Sequence, residues 1–282
     1  MASMKSTRPD IATLGGLLLA MGGILGGLTL EGGKLTDIAQ VTALMIVLGG
    51  TMGAVMVTTP WKTLLRAAKS LGNVFLERVE SPEQVIEEII GYATKARKNS
   101  IISLENDLER IEDPFLRKAI SLSVDGTDLH DLRKMMELDL SLQQRNGEAV
   151  AKVYEAAGGY APTIGIIGAV LGLIQVMKHL ENIEEVGRGI AVAFVATVYG
   201  VASANLFFLP VANKIKARLH HTLHIKELML EGVCSIIEGL NPKLIRVKLE
   251  AFSEGEAQSP ERSAARGSTA RQPMAAQGKA NA

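Results

Sequence analysis

The chain has 282 residues and balances 30 basic against 30 acidic side chains, so it carries no net charge; 47% of its residues are hydrophobic but only 4% aromatic. Zero net charge, with no cluster of basic and aromatic residues, excludes a nucleic-acid partner. A positive mean hydropathy gathered into four uncharged runs excludes an ordinary soluble domain and predicts a polytopic, all-α membrane protein.

Lys5 and Arg8 precede the first apolar run, Ile11 to Leu30, in the manner of a secretory signal. The run is long and no A-x-A site follows it, so it reads as an uncleaved first span. Its glycines fall in pairs, and the 22/26 and 23/27 spacings either let another helix approach closely or reflect how common glycine is in membrane helices. A short loop around Glu31, Lys34 and Asp37 makes a hairpin to the second span, about residues 38 to 60, which ends at Pro60, Trp61 and Lys62.

Residues 61–155 contain 14 Lys+Arg and 17 Asp+Glu with helical apolar spacing. Ser81-Pro82-Glu83-Gln84 is a capping box with proline at the first helical position, a second helix is expected from about Ser100 to Ile111, and Asp113-Pro114 starts a third that stops at Gly126. Thr127 or Asp128 starts a long fourth helix returning to the membrane. There is no strand pattern and no glycine-rich phosphate loop, so a helical cytoplasmic domain without a nucleotide site is expected.

The last two spans are Ala156 to Met177 and Gly189 to Asn213, each at or above the roughly 20 residues needed to cross a bilayer core. Pro162 and Pro210 are expected to interrupt them near their cytoplasmic ends. A basic helix follows to about Gly239, and the last thirty residues, rich in Ser, Ala, Gly and Gln, should be disordered. Short loops hold Lys34, Lys178 and Arg188, whereas Lys62, Arg66, Lys69, Lys214, Lys216 and Arg218 flank the spans on the other side. The positive-inside rule then puts both termini in the cytoplasm. The expected segments are 1–10 N-terminal, 11–60 spans one and two, 61–155 cytoplasmic domain, 156–213 spans three and four, 214–252 cytoplasmic helix and 253–282 tail.

No Asp, Glu, Lys, Arg or His lies inside any of the four spans. Ion pathways ordinarily need such groups, so a conducting complex must borrow its titrating carboxylate from another polypeptide. What remains are Thr163, Gln175, Thr197, Tyr199, Ser203 and Asn205, each of which also reads as interhelical glue. Thr197 and Ala169 are both about 12 Å in from the outer ends of their spans and can face one another across a helix interface. Ala196, Gly200 and Ala204 form a close-packing stripe beside Thr197, with Gly168 and Gly172 as its counterpart. His220 and His224 lack the glutamate and third ligand of a zinc site, no nucleophile constellation is present, and neither a cofactor nor an enzyme is expected.

GGYAPTIGIIGAVLGLIQVM, the short acidic hairpin, GIAVAFVATVYGVASANLFFLPVAN and TKARKNSIISLENDLE resemble the MotA/PomA subunit of the bacterial flagellar stator, over about residues 10 to 250. The resemblance implies an inner-membrane torque generator in which five such subunits surround a dimer of a MotB or PomB partner that supplies an aspartate. It implies that Pro162 and Pro210 couple ion flow to movement, that Thr197 lines the ion path and that Arg97 and Glu105 meet the rotor protein FliG. From their spacing alone those two charges read as a solvated helix face. Sodium-driven relatives resemble each other in having threonine where this chain has Ala169, which predicts H+ rather than Na+ as the coupling ion. The nearest alternative is a TolQ/ExbB-like energiser with three spans and an outside N-terminus; a self-sufficient transporter is more distant.

Overall fold

The computed structural model describes residues 7–78 and 81–257. Four of its helices are long and apolar enough to cross a membrane: Ile11–Leu30, Val41–Thr58, Leu129–Lys178 and the continuous run Ile183–Ile237. The chain divides into two units, Met1–Val79 with Ser141–Leu223 and Glu80–Leu140 with His224–Ala282, and two of the boundaries, 140/141 and 223/224, fall inside the runs Leu129–Lys178 and Ile183–Ile237.

In the first unit, a short strand β1 (Thr7–Pro9) pairs antiparallel with β2 (Leu76–Arg78), a three-residue ribbon that no sequence alternation announced. Helix α1 (Ile11–Leu30) follows, capped by Asp10, which accepts from the Thr13 amide at 3.0 Å. None of its residues is buried, and a Cβ added to Gly22, Gly23, Gly26 or Gly27 would meet nothing within 4 Å among the described residues. The close approach those spacings permit is therefore not made by any of the described residues. After a short turn, α2 (Leu35–Ile38), the second span runs as α3 (Val41–Leu44), a π-helical turn Met45–Gly49, and α4 (Gly50–Thr58). Pro60 then separates it from an amphipathic helix, α5 (Trp61–Phe75).

The second unit begins with α6 (Pro82–Asn99), whose cap Ser81 accepts from the Gln84 amide at 3.3 Å, as the capping-box spelling predicts. Ser100 then turns at φ 72, ψ 157, a backbone region that costs a non-glycine residue of order 1–3 kcal/mol. The helix expected after it is present but wound as a 3-10 helix, Ile101–Arg110. With three residues per turn, Ile101, Leu104 and Asp107 eclipse on one face, where Leu104 is buried and Asp107 pairs with Lys95 at 2.6 Å. Asp113 caps α7 (Pro114–Val124), which ends at Gly126, φ 79.

Helix α8 (Leu129–Lys178) runs unbroken for 50 residues through Pro162, so the interruption expected there does not occur. The fourth membrane helix, α9 (Ile183–Ala202), opens on the Asn182 cap, widens into a π-helical stretch Ser203–Phe208, and continues as α10 (Leu209–Ile237). Pro210 also leaves its helix unbroken. A proline ring clashes with the carbonyl four residues back, here Leu206, and the widened turn that holds Leu206 makes room for it. The helix expected over 214–252 is two helices instead: Gly239, φ 71, closes α10, and α11 (Pro242–Ala257) extends past residue 252. The tail expected over 253–282 falls, from residue 258 onward, outside the described residues.

Each unit has its own core. In the first, Val55, Ala67, Val150, Tyr154, Ala157 and Phe208 bring together α4, α5, α8 and the π-helical stretch before α10, and the Tyr154 hydroxyl donates to the Ala67 carbonyl at 2.7 Å. In the second, Ile89, Leu104, Leu116, Leu132, Met229 and Leu249 are fully buried. There Glu231 bridges α8 and α11 by accepting from Arg133 at 3.0 Å and Lys248 at 2.5 Å. Burial pushes its carboxyl up, but those two cations outweigh it and hold the pKa below the usual value.

The basic turn after the fourth span is neutralised. Lys214 and Arg218, one turn apart, both reach the carboxylate of Asp10, and Lys216 pairs with Glu155. Asp10 is almost wholly buried, and hydrogen bonds from Lys214 first, then the Thr13 amide, hold it far below the usual carboxylate range. It thus pins the start of α1 to α10. A carboxyl with a depressed folded pKa contributes stability above its unfolded pKa, near 4, and loses it as pH falls through the folded value. Asp10→Asn, which keeps a capping oxygen, is expected to cost roughly 2 kcal/mol at neutral pH, the scale of a hydrogen bond to a charged group. Thermal unfolding in detergent checks it: the gap to wild type should narrow below about pH 4.

Candidate functional site

The third and fourth membrane helices meet backbone to backbone. A Cβ added to Gly165 would lie 2.9 Å from the Ala196 carbonyl oxygen, one on Gly172 would lie 2.8 Å from the Gly189 oxygen and the Ala193 nitrogen, and one on Gly200 would lie 2.6 Å from the Ala161 oxygen. Gly168 faces Ala196, whose Cβ would be 2.8 Å away. The stripe read from the sequence is thus a real contact, and it is close because glycine has nothing to put in the way. A Cβ on Gly168 would also lie 3.3 Å from Ile46, in the π-helical turn of the second span, and Ala43 and Val47 meet Val195, Ala196 and Tyr199.

This register places Ala169 and Thr197, the two residues expected on the ion path. Ala169 and Thr197 each follow the Gly168–Ala196 contact by one residue. On antiparallel right-handed helices that step turns both side chains about 100° toward the same side of the pair. Val195 and Tyr199 turn to the opposite side, where the second span packs. Ala169 and Thr197 therefore do not face one another across the interface, which the small residues close. They lie level along one edge of the hairpin, both half-buried, on the side away from the second span.

The Thr197 hydroxyl donates to the Ala193 carbonyl at 3.2 Å, which uses its proton and leaves its lone pairs available as acceptors. Thr163, Ser203 and Asn205 likewise bond to carbonyls of their own helices. Tyr199 is the one that joins helices: its hydroxyl donates to the Ile38 carbonyl and accepts from the Gln40 amide at 3.3 Å, tying the fourth span to the start of the second. Each of these groups can orient a proton or a water.

Pro162 has no N–H to give the Gly158 carbonyl. Gly158 packs on Leu209, and in the register set by Gly158–Leu209 and Gly168–Ala196, Pro162 is level with about Ser203, where the π-helical stretch begins. Pro210 is level with about Ala157. Irregular backbone in both helices thus falls in one slab about 10 Å thick. Lys216–Glu155 and the Asp10 pairs sit at its edge.

Arg97 and Glu105 are exposed on either side of the Ser100 corner in the second unit. The Lys95–Asp107 pair fixes the base of that corner, and Arg97 and Glu105 each stand two residues nearer its tip. Arg97 also lines a cavity of about 330 Å³ with Ile101, Ser123, Thr127, Ile236 and Leu240. Sequence reasoning missed Asp10, whose only local signal was a cap spelling, because its partners lie more than 200 residues away. Among the described residues no group of His, Cys, Asp and Glu could hold a metal ion.

Known relatives share this chain's sequence pattern and fold. Residues 107–228 match the model of the MotA/TolQ/ExbB proton channel family, and residues 14–99 match the motility protein A N-terminal model. Motility protein A of Bacillus subtilis is 32% identical over 90% of this chain and 98% of its own length. The C. jejuni MotAB structure superposes with a TM-score of 0.82 at 31% identity, covering 86% of this chain and 95% of that one. The flagellar MotAB stator complex from Bacillus subtilis gives 0.79 at 33% identity, covering 84% and 93%. The chain belongs to the MotA/TolQ/ExbB proton channel family. Within it the chain stands in the MotA/PomA branch, the A subunits of flagellar motor stators.

Gly200→Ala is expected to push the two helices apart and destabilise by about 1–3 kcal/mol, because the new methyl meets backbone. Gly187→Ala, with nothing within 4 Å, should be neutral or slightly stabilising. Paired melting curves of the two variants in detergent separate these outcomes.

Proposed function

We propose that this chain, with a MotB/PomB-type partner, forms an ion pathway through the bacterial inner membrane and converts ion flow into torque on the flagellar rotor. One observation carries the reading. The edge that presents Thr197 and Ala169 belongs to spans with no Asp, Glu, Lys, Arg or His, so the charge must ride on a carboxylate placed against that edge from outside. A single partner helix bearing an aspartate meets that need, and five copies of this chain around a partner dimer would surround it. The partner's presence in the MotAB relatives supports this arrangement.

The coupling ion in this reading is H+. A dehydrated Na+ is a hard cation that needs several oxygen ligands; Thr197 offers one hydroxyl and Ala169 none. A proton needs only an acceptor and a water to cross the same gap. Basic residues flanking spans one to four put both termini and the helical unit in the cytoplasm. Rocking of the partner's carboxylate between charged and neutral forms would be felt first by the slab of weak backbone at Pro162 and Pro210. Arg97 and Glu105, at an exposed and strained corner, are suited to meet charged groups on FliG.

Two experiments test the pathway and its output. Thr197→Val keeps the shape and removes the oxygen. Co-expressed with the partner and reconstituted in vesicles, it is expected to lose at least tenfold in proton flux while assembling normally, a loss of about 1.4 kcal/mol; undiminished flux, or flux from this chain without the partner, would overturn the assignment. Arg97→Glu is expected to reduce swimming torque and leave flux through an activated complex unchanged. Equal loss of both would place Arg97 in the pathway instead of at the rotor.

A further inference from the structure

Helix α5 follows directly on the second span, and its exposed surface has two stripes. At 100° per residue, Leu64, Ala67, Leu71 and Val74 make one face, which is buried or half-buried against the first unit's core. Trp61, Leu65, Ala68 and Gly72 fall together on an adjacent arc that is exposed, Trp61 at 63% and Leu65 at 46%. Lys62, Arg66 and Lys69 occupy the next arc, also exposed. The helix contains no acidic residue. Arg66 touches the Asn146 amide oxygen at 3.4 Å, and among the described residues neither Lys62 nor Lys69 has an ion-pair partner.

An exposed apolar stripe beside a basic stripe, on a helix separated from a membrane helix by only Thr59 and Pro60, suits a surface whose interior is hydrocarbon and whose boundary is negatively charged. A water-facing helix would have no use for an exposed tryptophan and leucine, and a protein partner would have to match both stripes in that order. We propose that α5 lies in the membrane boundary as a binding site for anionic phospholipid headgroups. Trp61 and Leu65 enter the acyl layer; Lys62 and Lys69, with Arg66, hold phosphate groups. Pro60 supplies the bend that lays the helix down, and Tyr154, donating to the Ala67 carbonyl, fixes its rotation about its own axis.

Trp61 is the chain's single tryptophan, so its fluorescence reports this helix alone. The full chain is reconstituted in vesicles of phosphatidylcholine and phosphatidylglycerol in which one or the other lipid carries bromine, a short-range quencher. At low salt, brominated phosphatidylglycerol is expected to quench Trp61 about fivefold more effectively than brominated phosphatidylcholine, the preference that one cation near an anionic surface confers. The preference should fall with added salt and vanish in the K62Q/R66Q/K69Q variant. Equal quenching by the two lipids in wild type would overturn the headgroup site. Absence of quenching by either would show that the face is covered by a second copy or another protein, and would overturn it as well. Wild-type behaviour decides these outcomes without depending on how the variant folds.

Discussion

Close approach of two backbones is the constraint from which the membrane part of this protein follows. In a bilayer there is little hydrophobic gain from bringing helices together, since lipid tails are as apolar as leucine, so association rests on van der Waals contact. Gly165, Gly168 and Gly172 on one helix, and Gly189, Ala193, Ala196 and Gly200 on the other, allow that contact over several turns. A run of such contacts is intolerant of slippage, because shifting by one residue puts a β-branched side chain where backbone now lies. Register is thereby fixed, and with it the side of the hairpin on which Thr197 and Ala169 stand.

That fixed register is followed by a stretch where the same helices are weak. Pro162 removes a hydrogen bond from one, and the π-helical turn before Pro210 stretches the other at nearly the same level. Ion pairs take over where backbone bonds thin out: Asp10 with Lys214 and Arg218, Glu155 with Lys216. Charged pairs hold the helices together while tolerating small shifts that a glycine interface would not. The helices are thus close-packed over one stretch and looser over the next.

The second unit shows the same economy at its corner. Its core is ordinary aliphatic packing, stiffened by Glu231 between Arg133 and Lys248. Its irregular feature is Ser100, held in a backbone region natural to glycine, with a 3-10 helix leading away from it. Arg97 and Glu105 stand on both sides of that corner, so the exposed charges are presented by a turn whose shape is set by its surroundings and not by its own preference.

The sequence by itself determined the four membrane helices, because twenty uncharged residues have nowhere else to go, and it determined the capped starts at Ser81 and Asp113, because a cap is written in neighbouring residues. It also showed that no Asp, Glu, Lys, Arg or His lies in the spans, which is a matter of spelling alone. It did not show that the helices run on through Pro162 and Pro210, since what spares a proline is room made by a widened turn and support from a neighbouring helix. Nor could it show which side of the hairpin Thr197 occupies, or that Asp10 would be buried by cations two hundred residues away. Those depend on which atoms of one helix touch which atoms of another, and only the assembled chain decides that.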